Sequence, residues 1–233
     1  MKKLIFVLPI ILVFALTVEA AGPKTLTRTI EAGAIDTLDL SSGIGDVTIT
    51  ARETIDEVAI EVVLTPRRGG IFSSKRQAER DVETASLDVA VKHESLKLRI
   101  SPADDEDRRF EEKWIIEMPS RLAIKLEHGV GDVVIRATKA GIELDSGVGD
   151  IDVEAIEGDI SIDLGVGNAV VRAPAAVYGA VEAAGGVGSA QITVRGEKIE
   201  GGGFVSHAAS WSGNGSYHLD VSVGVGDAVI ELD

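Results

Sequence analysis

The chain has no cysteine. That absence excludes a disulfide framework, a thiolate nucleophile, cysteine-ligated zinc and a lipid attached through a lipobox. Histidine is scarce, with only His93, His128, His207 and His218, and no two share an i, i+4 spacing that would hold zinc on one element. Neither a Gly-x-Ser-x-Gly elbow nor a His-Glu-x-x-His motif occurs. Aromatic residues are 4% of the chain, which suits a narrow core of Val, Ile, Leu and Ala. Basic residues are outnumbered 23 to 38, giving a net charge of −15. A chain this acidic lacks the basic face that nucleic acid or an anionic membrane surface requires of a partner.

Long apolar runs are also missing, apart from Leu4 to Val18. Lys2 and Lys3 precede that run and Val18-Glu19-Ala20 closes it as a small-x-small site, so residues 1–20 read as a secretory signal peptide. The run is shorter than the roughly 20 residues of a spanning helix, and no stop-transfer cluster follows. The expectation is an exported protein, periplasmic or extracellular, with no membrane span after cleavage and a single domain over 21–233.

What the chain does have is glycine, 26 in all, much of it in one recurring stretch. The clearest copy is Ser146-Gly147-Val148-Gly149-Asp150-Ile151-Asp152-Val153. Others carry Gly43, Gly45 and Asp46; Gly129, Gly131 and Asp132; Gly165, Gly167 and Asn168; Gly186, Gly188 and Ser189; and Gly224, Gly226 and Asp227. Apolar and polar residues alternate on both sides of each copy, as in Ile142 and Leu144 against Glu143 and Asp145, then Ile151 and Val153 against Asp152 and Glu154. Period two marks strands with one buried and one wet face. The unit is therefore strand, Gly-x-Gly-Asp turn, strand. Glycine is expected there for positive φ, and the acid for bonding neighbouring backbone amides through its side chain.

Gly129, Gly147 and Gly165 are evenly spaced, and Glu157-Gly158-Asp159 makes a lesser turn halfway along the last interval. The chain thus advances in near-nonapeptides, each a short strand and a tight turn. An antiparallel meander or a parallel coil would both fit. Matching residue types recur at the full period rather than at mirror positions, which favours the coil, with Val133, Ile151 and Ala169 stacked and Ile135, Val153 and Val171 beside them. The predicted fold is all-β, a β-solenoid of short strands joined by Gly-x-Gly-Asp turns. One short helix precedes the array, with Ser74 and Gln77 at capping-box spacing and Ala78, Val82 and Ala85 on one face. Strands are expected at Leu26–Ile30, Thr37–Ser41, Val47–Ala51 and Val58–Leu64, then a hairpin around His93-Glu94-Ser95, then Lys113–Met118. The charged run 104–109 reads as a solvated loop.

The repeated turns, the entry Met118-Pro119-Ser120-x-Leu122 and the helix-hairpin before it resemble the DUF4097 family of β-strand-repeat proteins, described as "putative adhesins". The likeness spans nearly all of 21–233. It implies a β-solenoid fold and an exported or envelope-attached protein, and it supplies no catalytic residues to transfer. The sequence departs from the pattern at Asn168 and Ser189, where the turn acid is replaced, and in a glycine-rich insertion after Val194.

Three chemistries are weighed against the turns. A dinucleotide loop needs a third glycine and a following helix, and has neither. Calcium repeats need more oxygens than one carboxylate per coil, and here the acid sits one position early, with only Asp132 and Asp150 expected to be neighbours in the stack. A row of outward acids such as Asp152, Glu154 and Asp163 is ordinary for a wet strand face, so no enzyme, metal or cofactor is expected. Near the C-terminus Phe204, Trp211 and Tyr217 form an aromatic cluster, a candidate ligand platform or simply a cap on the open end of the coil. The functional expectation is a non-enzymatic, adhesin-like scaffold at the cell envelope whose partner is an envelope protein or surface polymer. The alternative is a glycan-binding or glycan-active protein using the aromatic turn or an acidic strand face.

Overall fold

The computed structural model describes residues 22–67, 75–101, 109–202 and 207–233. The signal-like segment, Ser74, most of the charged run at 104–109 and Phe204 lie outside these residues. Four strands open the chain: β1 (Lys24–Glu31), β2 (Thr37–Ile44), β3 (Val47–Arg52) and β4 (Glu57–Pro66). Helix α1 (Lys75–Thr84) and strands β5 (Ser86–Lys92), β6 (Ser95–Ser101) and β7 (Phe110–Pro119) follow. The repeat array then runs β8 (Ala123–Val130), β9 (Val133–Thr138), β10 (Ile142–Val148), β11 (Ile151–Ala155), β12 (Ile160–Val166) and β13 (Ala169–Ala173). It closes with β14 (Tyr178–Val187), β15 (Ala190–Val194), β16 (Glu197–Glu200), β17 (His207–Ser212), β18 (Tyr217–Val225) and β19 (Ala228–Leu232).

These strands form an all-β structure of two mixed sheets with one α-helix among the described residues. One sheet has the order β1-β4-β7-β3-β9-β11-β13-β19-β15-β16, the other β17-β14-β18-β12-β10-β8-β2-β6-β5. Strand alternation sorts the side chains: β10 buries Ile142, Leu144 and Ser146 and exposes Glu143 and Asp145. The buried faces of both sheets meet in one apolar cluster, in which aliphatic residues far outnumber Phe110, Trp114 and Tyr178.

Within the array the pairing is parallel and keeps the repeat in register. Ile151 lies between Val133 and Ala169, and Val153 between Ile135 and Val171. Each Gly-x-Gly turn carries the chain from one sheet to the other, so consecutive strands sit in different sheets and equivalent strands stack. The minor turn does the same in reverse, with Gly158 at φ +110°.

The order of the stack departs from the order of the sequence. The last copy, on β18 and β19, inserts between the copies on β12/β13 and β14/β15. The glycine-rich insertion makes this reversal. After β15 the chain folds back antiparallel as β16, crosses to pair β17 antiparallel with β14, and enters the gap as β18. Both sheets thereby end on an antiparallel edge strand at this end. At the other end α1 buries Ala78 and Val82, and Ala85 just beyond it, while Lys24 Nζ donates to the carbonyls of Glu83 (2.8 Å) and Ala85 (2.7 Å). A cation there satisfies the free carbonyls at the end of the helix.

Candidate functional site

The turns align into a straight corner, built by two kinds of glycine. The second glycine of each copy has positive φ, from +128° at Gly45 to +145° at Gly149, with Gly131, Gly167, Gly188 and Gly226 between them. A Cβ on Gly149 would also overlap the Gly131 carbonyl of the neighbouring turn. The first glycines, Gly43, Gly129, Gly147, Gly165, Gly186 and Gly224, do not have positive φ, which corrects the expectation for them. Gly129, Gly147, Gly165, Gly186 and Gly224 are glycine because turns stack too closely for a side chain: a Cβ on Gly147 would lie 2.5 Å from the Gly129 carbonyl oxygen, and one on Gly165 2.5 Å from that of Gly147.

The turn acids bond backbone amides, and the amides they bond belong to the neighbouring turn of the stack. The Asp132 amide donates to Asp46 Oδ1 (3.2 Å), the Asp150 amide to Asp132 Oδ1 (3.0 Å) and the Asn168 amide to Asp150 Oδ1 (2.9 Å). The Asp227 amide continues to Asn168 Oδ1 (3.2 Å), and Ser189 ends the ladder with its amide (2.8 Å) and hydroxyl (2.7 Å) on Asp227 Oδ1. These two bonds hold the Asp227 carboxyl below its usual range. Three acids, Asp46, Asp132 and Asp150, are therefore consecutive, one more than the sequence spacing suggests. Asn168 works as well as an acid because only an acceptor is required. No group of three or more metal-binding side chains gathers among the described residues.

Beyond Asp46 the stack meets β7, where Glu112 is fully buried. Its Oε2 accepts from Trp114 Nε1 (2.9 Å), Ser42 Oγ (3.3 Å) and the Gly43 amide (3.3 Å). Ser42 is followed in register by His128 and Ser146, all inward and all about 5–6% exposed. Neither nitrogen of His128 has a well-aligned hydrogen bond, and burial lowers its pKa against the opposing influence of the nearby Gly131 backbone and of the Asp46 and Asp132 charges.

On the outer surface of the corner the residue between the two glycines is always Val or Ile. Ile44, Val130, Val148, Val166, Val225 and Val187 are paired in that order, strand to strand. The five valines are 44–65% exposed. Beside them the first glycines floor a shallow trough. One recess of about 470 Å³ is lined by Asp145, Asp163, Gly165, Gly186, Ser222 and Gly224, and another of about 320 Å³ by Glu127, Gly129, Asp145 and Gly147 among others. Sequence reasoning passed over this valine row although its signal was present, the constant x of every Gly-x-Gly.

The aromatic cluster is organised differently. Trp211 and Tyr217 are half-buried against the core, and Tyr217 pairs with the fully buried Tyr178, ring centroids 6.4 Å apart and tilted by 60°. Burial, together with the nearby Asp159 charge, pushes the Tyr178 hydroxyl above its usual range. Neither recess reaches Trp211 or Tyr217. Trp211 lies on the edge strand β17, whereas Tyr217 begins β18, two strands further in.

No family model and no curated protein matches the chain. Among solved structures, a "putative cell adhesion protein" from Clostridium sporogenes overlays 91% of this chain and 100% of its own, with a TM-score of 0.62 at 20% identity. That likeness is one of fold. A "putative adhesin" from Bacteroides fragilis covers 89% of this chain and 97% of its own at 11% identity, with a TM-score of 0.33.

Proposed function

We propose that the chain is an exported, non-enzymatic β-solenoid, one domain over 21–233, that presents an adhesin-like interaction surface at the cell envelope. The observation that carries this reading is the corner itself. Six copies of one turn are locked in line by backbone bonds and by the side-chain ladder, so a half-buried Ile and five exposed Val residues are offered at a fixed interval along one edge. A repeating edge of this kind suits an elongated partner, an envelope protein or surface polymer, better than it suits a compact substrate, which favours a concave pocket. The fold shared with a structure named for cell adhesion supports the same direction. The described helix is too short to cross a bilayer, and the reading needs none to do so.

The test is to express the full chain with a C-terminal tag in a bacterial host, fractionate the cells and weigh the recovered protein. Processed chain in the periplasm, envelope or medium, beginning near Ala21, is the expected result. Unprocessed chain confined to the cytosol would overturn the export half of the reading, and crosslinking that recovers no envelope component would overturn the other half.

A further inference from the structure

The valine row lies between two acidic rows. On two strands of the corner the outer surface runs acid, glycine, valine, turn acid, as in Glu127, Gly129, Val130 and Asp132 and in Asp145, Gly147, Val148 and Asp150, while Ser41, Ser222 and Ala184 take the first position and Asn168 and Ser189 the last in other copies. On the sheet side Glu127, Asp145 and Asp163 are in register, followed by Ser222. These three acids are exposed and carry no ion pair among the described residues. On the turn side stand Asp46, Asp132, Asp150 and Asp227. The result is an apolar ridge of six residues, roughly 24 Å long at about 4.8 Å per strand, with carboxylates on both flanks of Val130 and Val148 and on one flank of Ile44, Val166 and Val225.

We propose that this ridge is a docking surface for an extended basic polypeptide segment in which one residue in three is apolar. The proposal rests on the reading of the chain as an interaction scaffold and names the partner for its corner. The charge of the flanks selects a basic partner. It disfavours an anionic lipid surface, and a second copy of this chain would bring two acid-edged ridges together. The period comes from geometry. A polyproline-II segment rises about 3.1 Å per residue with three residues per turn, so every third side chain recurs at about 9.3 Å. Two strand spacings of the ridge are about 9.6 Å. An apolar side chain at every third position therefore meets alternate valines, and the two basic residues between them fall toward the two acid rows. A β-conformation segment would instead throw its basic side chains away from the ridge, because its side chains alternate between opposite faces.

The ridge is already rigid, so binding orders only the peptide. Gly131, Gly149, Gly167 and Gly226 donate their amides to the carbonyls of Val148, Val166, Val225 and Val187, and the turn-acid ladder fixes the far flank. A pre-formed surface keeps more of the contact free energy as affinity.

The experiment titrates the purified chain into a dye-labelled peptide of three Lys-Val-Lys repeats and reads fluorescence anisotropy. Three comparison peptides are used: Lys-Ser-Lys repeats, Glu-Val-Glu repeats, and a peptide of the same composition with its lysines and valines in separate blocks. The repeat peptide is expected to bind at least about tenfold more tightly than any of the three, with affinity falling as salt rises. Val148→Ser combined with Val166→Ser should lower affinity about tenfold, as should Asp145→Asn combined with Asp163→Asn, while Glu61→Gln on the other sheet should leave it unchanged. A thermal melt of each variant establishes that it is folded, and the Asn pair keeps the original shapes. Equal binding of the repeat and block peptides overturns the geometry, and equal binding of Lys-Val-Lys and Lys-Ser-Lys overturns the role of the ridge. Ridge substitutions that abolish self-association or binding to anionic vesicles, without changing peptide affinity, assign the surface to those occupants instead. Because the assay uses purified chain, its failure leaves the fractionation result standing, and the reverse also holds.

Discussion

The Asp150 amide N–H donates to the Asp132 carboxylate 3.0 Å away, in the neighbouring turn of the stack. The bond makes each acid a splint between turns, and it separates the roles of acid and glycine. Asp150→Asn keeps an acceptor, as Asn168 does for the Asp227 amide, and should change stability by no more than about 0.5 kcal/mol. Asp150→Ala removes the acceptor of the Asn168 amide and should cost about 1 kcal/mol. Gly149→Ala combines positive φ with an overlap on backbone and should cost about 3 kcal/mol or more. Denaturant melts rank the three. Gly149→Ala melting with wild type would remove the stacked turn from the account.

Gly147→Ala separates the two glycine classes. Its φ is unstrained, so its loss comes only from the Gly129 carbonyl 2.5 Å from the added methyl. Its destabilisation should fall between those of Asp150→Ala and Gly149→Ala. A loss equal to that of Gly149→Ala would mean that close approach alone sets the cost.

His128 should make the fold sensitive to acid. Burial holds its folded pKa below the unfolded value of about 6.5, so as pH falls through that value the unfolded chain takes up a proton that the folded chain does not. Stability is therefore complete above the unfolded pKa and declines below it until the folded group also protonates. His128→Leu, which copies the inward Leu164 two strands along, should flatten the change in melting temperature between pH 7 and pH 5. Parallel curves for the two proteins would count against a buried neutral imidazole.

Calcium should not stabilise the chain. Asp46, Asp132 and Asp150 each already use Oδ1 on the next amide, and a site needs six or more oxygens. Millimolar calcium is expected to move the melting temperature by no more than about one degree, and chelator to do nothing. A calcium-dependent rise of several degrees, abolished by Asp150→Ala, would make the turn acids a metal array.

Asp152 offers a contrast with the ladder. Arg136 and Arg172 both reach its carboxylate, at 3.0 and 2.8 Å, and Arg172 continues to Glu231 at 3.0 Å. Every member is a third or more exposed, so solvent screens the network. Asp152→Asn should cost under about 1 kcal/mol, with the difference from wild type shrinking in high salt. A salt-independent loss of several kcal/mol would mean that the pairs hold the sheet together.

Alternation and the glycine period, both visible in the sequence, determined the strands of the array, the parallel stacking of equivalent positions and the place of each turn. Those signals are local, since a two-residue period has one solution on a half-buried sheet and an evenly spaced turn has one on a stack. Tertiary structure decided what depends on which rung meets which. The last copy entered between two earlier ones because the insertion after Val194 reversed the chain, and no local pattern records that order. Ser42, His128 and Ser146 read as ordinary strand residues until their stacking showed a buried imidazole between two serines. Val148 is the plainest case. Counting by twos from Leu144 and Ser146 sends it into the core, yet it is 45% exposed, because there the chain has turned the corner and left the opposite sheet behind.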